Sequence, residues 1–205
     1  MSPHDIVQQL QAIASEHEQI AIAWHVAIAI LAIALVRWEP STRTAVVLTA
    51  MPAASVFLAA AGYRSWFNAI SFAVLAIVLL GPRQLAPRWR TCVPAWSSLL
   101  GVALIMFGLW YPHFTDGGYR SLYASPIGLL PCPSLAVMAG FTLVAGGFGT
   151  RAIPAVLAVW TAFYGAFGAF VLGVDLDVGL LIAAFALARI ALHNRGACNL
   201  ALAPS

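Results

Sequence analysis

The residues best equipped for chemistry are few, and one of them stands between two prolines. Cys132 lies in the run GLLPCPS, flanked by Pro131 and Pro133. A thiol can serve as nucleophile, metal ligand or redox group, and a lone membrane cysteine can equally pack as a small inert filler. The two prolines lack the N–H groups that would bond the carbonyls of Ile127 and Leu129, so a regular helix cannot run through 127–133. Either a helix begins near Cys132 after an irregular descent, or a helix is broken at that depth. Non-helical backbone inside a membrane is tolerated only where protein or water satisfies it. Residues 126–133 are therefore expected to form a wedge walling a water-reachable outer cavity with Cys132 at its base. The competing account is a dry cap that only turns the chain. Arg64, Asn68, Tyr111 and His113 are the candidate donors for the freed carbonyls.

Arg64 and Asn68 stand in GYRSWFN. Arg64 reads either as an arginine snorkelling to headgroups beside Trp66 or as an inward-turned partner of Asp175 or Asp177. The two aspartates are two residues apart and so do not share a helix face. Asp177 more simply reads as the N-cap of the last helix. His25 has the setting of a hydrogen-bonded packing residue, His113 that of a loop residue beside Asp116, and Trp160 and Tyr164, one turn apart, that of core. The candidate outer cavity thus comprises Cys132, Pro131, Pro133, Arg64, Asn68, His113, Asp175 and Asp177. The sequence carries no catalytic triad, paired cysteine, spaced metal motif or paired-histidine haem pattern. No catalytic residue, metal or cofactor is assigned.

These residues are positioned by apolar helices. Of 205 residues 62% are hydrophobic and 8% charged, and the mean hydropathy is +0.91, whereas a soluble domain carries about a quarter charged residues. Apolar runs near the roughly 20 residues needed to cross a bilayer predict an all-α, polytopic transmembrane bundle. Seven spans are expected, at about 19–36, 44–62, 67–80, 93–110, 127–148, 152–172 and 177–192. A polar helical lead over 1–18, with Ser2 as cap and Ile6, Leu10 and Ile13 on one face, precedes them, either lying at the interface or continuous with the first span. A tail over 193–205 follows. Acids at Glu16 and Glu18 before the first apolar run are wrong for a cleavable signal, so the first span is expected in the mature protein.

The net charge of +3 comes with arginine as the only basic residue besides histidine. The arginines are scattered between apolar runs, which indicates membrane flanks and excludes a nucleic-acid surface. Arg37, Arg43, Arg83, Arg88, Arg90, Arg151, Arg189 and Arg195 fall on one side of the seven-span arrangement, Arg64 and Arg120 on the other. Positive charge is retained in the cytoplasm, which predicts an outer N-terminus, a cytoplasmic C-terminus and a multi-pass protein of the cell inner membrane. In the sixth span Ala158, Ala162 and Ala166 form one small-residue ladder and Gly165, Ala169 and Gly173 another, both structural.

At three places, AAAGYRSWFNAISF (59–72), WYP with SPIGLLPCPS (110–134) and IPAVLAVWTAFYGAFGAFVLGVDLDVGLL (153–181), the chain resembles an uncharacterised family of bacterial multi-span membrane proteins, a family of unknown function. The resemblance implies an integral membrane protein of this size and implies no activity. GLLPCPS is also similar to a segment of nickel and cobalt exporters and of membrane thiol-disulfide carriers, but the exporters' histidine-rich helix and a second cysteine within bonding reach are missing. Three classes follow. A non-catalytic accessory or assembly subunit, with lipid and a membrane-protein partner, explains sparse chemistry best. A small-solute or ion transporter or channel with an outward cavity at the PCP segment is the alternative, and a membrane enzyme ranks last.

Overall fold

The computed structural model of the chain describes residues 3–37, 41–81, 93–112, 123 and 125–193. Among them there is no strand. There are eight α-helices, α1 (Pro3–Glu16), α2 (Glu18–Arg37), α3 (Thr42–Gly62), α4 (Trp66–Leu80), α5 (Ala95–Leu109), α6 (Pro131–Val144), α7 (Ala152–Phe170) and α8 (Val178–His193), with 3-10 turns at Gly146–Gly149 and Asp175–Asp177. The all-helical class expected from the apolar runs is the class observed. Ser2, Arg83, Arg88, Arg90, Cys92, His113, Asp116, Arg120, Arg195, Cys198 and the tail beyond His193 lie outside the described residues.

Local chemistry accounts for several helix ends. Ser41 caps α3 by accepting from the Thr44 N–H at 3.2 Å, which satisfies one of the donors a helix start leaves open. Pro131 occupies the first position of α6, where a missing N–H costs nothing and the fixed φ suits the helix. The prolines therefore start a helix, as one of the two sequence alternatives had it. Gly173 is not a rung of a packing ladder: α7 ends at Phe170, and Gly173 lies beyond it, exposed in a turn with φ 71°.

The bundle is organised around α6. Every residue from Pro133 to Leu143 is buried, as required of a helix that is apolar all round, and α5, α7, α8 and α3 pack on it while α4 lies against α3 and α7. The tightest crossing joins α5 to α6 backbone to backbone. A β-carbon on Gly101 would come 2.6 Å from the Gly140 carbonyl oxygen, and one on Gly140 would come 2.6 Å from that of Gly101. The Ser97 hydroxyl donates to the Leu143 carbonyl across the same contact at 2.6 Å. Close backbone approach of this kind holds helices together where lipid gives no hydrophobic drive.

Among the described residues two helices, α3 and α7, are long and apolar enough to cross a membrane, and the pair α1–α2, bent by 73°, adds a third candidate; α4, α5 and α6 are shorter apolar helices. Large apolar side chains point outward along the bundle, among them Ile33, Leu58, Ile77, Leu99, Phe170 and Phe185. Such a surface is far more apolar than water-facing proteins carry. The bend separates α1 from α2, so the polar lead does not continue the first apolar helix. Instead α1 folds back, burying Ile13 and Ala14 against Tyr111, Leu129, Leu130 and Val174.

Candidate functional site

One end of the bundle gathers the start of α6, the ends of α5 and α7, the starts of α4 and α8, and α1 above them. Asp177 is the centre of this end. It is only 1% exposed, and its carboxylate accepts a hydrogen bond from the Tyr111 hydroxyl at 2.5 Å and from the Cys132 thiol at 3.2 Å. A charge so buried is costly unless hydrogen-bonded. Here two neutral donors and the adjoining N-terminus of α8 supply that compensation.

The reason Asp177 fits is on α7. A β-carbon on Gly168 would overlap the Asp177 Oδ2 atom, and one on Gly165 would come 3.0 Å from the Leu180 Cβ and 3.1 Å from the Asp177 carbonyl oxygen. The small residues of α7 thus admit the aspartate as well as close helix packing. Across from them, the Tyr164 hydroxyl donates to Asn68 Oδ1 at 2.9 Å and the Asn68 amide donates to the Ser65 hydroxyl at 3.1 Å. A cavity of about 40 Å³ lies between these groups, walled by Asn68, Cys132, Tyr164 and Asp177 and roofed by Ile6 and Leu10 of α1. A second, of about 30 Å³, shares Ile6, Leu10, Asn68, Leu130 and Pro131 and reaches Gln9 and Ser65.

The wedge before α6 is buried and bonds in part from within. Residues 125–131 are all buried. Ser134 closes the segment: its hydroxyl donates to the Leu130 carbonyl at 2.6 Å and accepts from the Gly128 N–H at 2.8 Å, while Ser125 donates to the Gly108 carbonyl at 2.7 Å. Gly128 sits at φ 74°, and a side chain there would overlap the Trp24 indole, which itself donates to Ser55 at 3.0 Å. The serines thus bond the Gly128 N–H and the Leu130 carbonyl of the segment, while the Tyr111 hydroxyl expected at this wedge goes to Asp177.

The structure brings Pro131, Cys132, Asn68 and Asp177 to one cavity. Pro133 is buried in α6, Asp175 is exposed, and His113 lies outside the described residues. The expected Arg64 pairing with Asp175 or Asp177 is not formed. Arg64 occupies a left-handed turn, φ 57°, that ends α3 and leaves the side chain exposed, and the Asp177 oxygens face inward. Nor does the Asp177 side chain cap α8, because it turns into the bundle to meet Tyr111, just beyond α5, and Cys132 of α6. His25 ties α2 to α5, its ring nitrogens lying 2.9 Å from the Ala21 carbonyl and 2.9 Å from the Leu109 carbonyl.

Tyr164 is core, as expected, and also reaches Asn68; sequence reasoning missed Gly168 and Ser134, and read Tyr111 as a donor to the wedge carbonyls where its hydroxyl goes to Asp177. Trp160 and Tyr164 both cross to α4, Trp160 donating to Ser71 at 3.0 Å. The hinge of α1 was also unforeseen. The Tyr63 hydroxyl donates to Glu16 at 2.7 Å and lies 2.9 Å from His17 Nδ1, accepting there from the tautomer protonated at that nitrogen. Desolvation first, then the bond to Glu16, pushes the Tyr63 hydroxyl up to about 12, so it remains a donor at physiological pH. Among the described residues no cluster of three metal-binding side chains forms. No family model, curated protein or solved structure matches this chain.

Proposed function

We propose that the chain is a seven-span protein of the cell inner membrane, N-terminus outside and C-terminus cytoplasmic, that handles a small ion or solute at the Asp177 end of the bundle. The observation that carries this reading is the buried aspartate at the wall of a cavity inside an apolar bundle. Ionisable groups in such surroundings are expensive and mark ion or substrate sites. The arginine distribution supports the orientation, which puts the cavity on the outer side. Helices of 14 to 16 residues, such as α4, α5, α6 and α8, are about 21–24 Å long. The buried segment 125–130 and the turn Gly146–Gly149 extend α6 toward the thickness of the bilayer.

Reconstituted proteoliposomes test the activity. Uptake of protons or monovalent cations down an imposed gradient, lost in Asp177→Asn, is the expected result. An inert protein that leaves native membranes in a stable complex with another membrane protein would instead establish the accessory-subunit reading. The resemblance to the uncharacterised bacterial membrane family agrees with either.

A further inference from the structure

Resting on that reading, we propose that the ligand of this site is the proton. Asp177 takes it from, and returns it to, water that reaches the outer end of the bundle past Ser65 and Asn68 beneath α1. Three observations carry this. The first is the kind of partner Asp177 has. Among the described residues the groups that face it are Tyr111 just beyond α5, Cys132 from α6 and Tyr164 from α7; α4 adds the neutral Asn68, and α1 adds Ile6 and Leu10. None of these described groups is a fixed positive charge that would hold the carboxylate ionised. Hydroxyl and thiol are each donor and acceptor, so the cluster can accommodate either protonation state.

The second observation is the contact that allows the exchange, the Cys132 thiol 3.2 Å from Asp177 Oδ2. A hydronium in the cavity gives up one O–H bond, a new O–H forms on Asp177 Oδ2, and neutral water remains. The Cys132 S–H, which donated to that oxygen, then turns away, and its sulfur accepts from the new O–H. The reverse step returns the proton, and no electrons are transferred.

The third is size. About 10–15 Å³ of such space suffices for one water, so a cavity of about 40 Å³ admits a few waters and excludes a fully hydrated metal ion. The neighbouring cavity shares Ile6, Leu10, Asn68, Leu130 and Pro131 with it and reaches Gln9 and Ser65, and the proposed route for water runs along this shared wall.

Infrared spectroscopy of the folded full chain with Cys92 and Cys198 replaced by serine tests this, because Cys132 is then the one source of an S–H stretching band. The expected result is a carboxylic-acid C=O band that appears on acidification in step with a shift of the S–H band, both absent in Asp177→Asn. Should Asp177→Asn fail to fold, Cys132→Ser serves instead: it removes the S–H band and keeps the carboxyl titration. An S–H band that ignores pH, or that shifts with sodium or potassium at constant pH, overturns the proposal. Cation uptake lost in Asp177→Asn together with a pH-insensitive S–H band refutes the proton alone. A coupled titration in a protein that transports nothing refutes the transport reading alone.

Discussion

At the scale of single residues, the outer end of the bundle depends on what Asp177 accepts and on the space left for it. Tyr111→Phe removes a donor from a buried carboxylate, and hydrogen bonds to charged groups contribute about 1.5–3 kcal/mol. The expected outcome is a loss of that size in thermal unfolding of the detergent-solubilised protein. Gly168→Ala forces a methyl into Asp177 Oδ2 and is expected to cost about 1–3 kcal/mol by overpacking. The same change in an Asp177→Ala background should cost clearly less, since the clash is then gone, and additive losses in the double-mutant cycle would refute the contact. Arg64→Ala, by contrast, should change stability by no more than about 0.5 kcal/mol, because an exposed side chain without an ion pair to either aspartate is removed. Cys132 and Asp177 could be picked out in the sequence because a thiol between prolines and acids beside an apolar run are rare types in rare places. Gly168 could not, since it carries no signal apart from the other small residues of α7. Its role comes from the oxygen placed opposite.

At the scale of elements, α1 acts as a roof held at one hinge. Its amphipathic spacing was readable, and the 73° bend was not, because the contacts at the bend come from far along the chain: Tyr63 is 47 and 46 residues away from Glu16 and His17, and Ile13 and Ala14 pack on Leu129 and Val174. Tyr63→Phe removes both hydrogen bonds. At about 0.5–1.5 kcal/mol for each bond, a combined loss near 1.4 kcal/mol raises the open population about tenfold. The rate at which a membrane-impermeant maleimide labels Cys132 from outside should rise by that factor, in a background with Cys92 and Cys198 replaced. An unchanged rate would mean that α1 does not limit access. The wedge before α6 shows the opposite balance. Pro131 and Pro133 announced in the sequence that no regular helix could run through 127–133, and in the structure Ser134, next to the segment, bonds its Gly128 N–H and Leu130 carbonyl. The segment is buried throughout, and its Leu129, Leu130 and Pro131 wall the cavities beneath α1.

At the scale of the whole molecule, the proposed topology has a direct check. A reporter active only in the cytoplasm and fused after Ser205 should be active, and the same reporter placed before Met1 should be silent; the reverse pattern, or an even number of mapped spans, would overturn the orientation. The architecture follows from a central helix buried on all sides, which α5 approaches closely because Gly101 and Gly140 face each other. The sequence by itself determined that the chain is helical and that its helices are apolar outside as well as within. Both properties follow from composition and from the need of every backbone group in an apolar setting to find its partner nearby along the chain. Tertiary structure alone decided which groups meet. Asp177 takes its donors from residues 66 and 45 positions away, and Tyr164 reaches Asn68 across 96. Those encounters depend on helix crossings set by glycines whose neighbours lie on other helices, and a periodicity within one helix carries no information about the face it will meet.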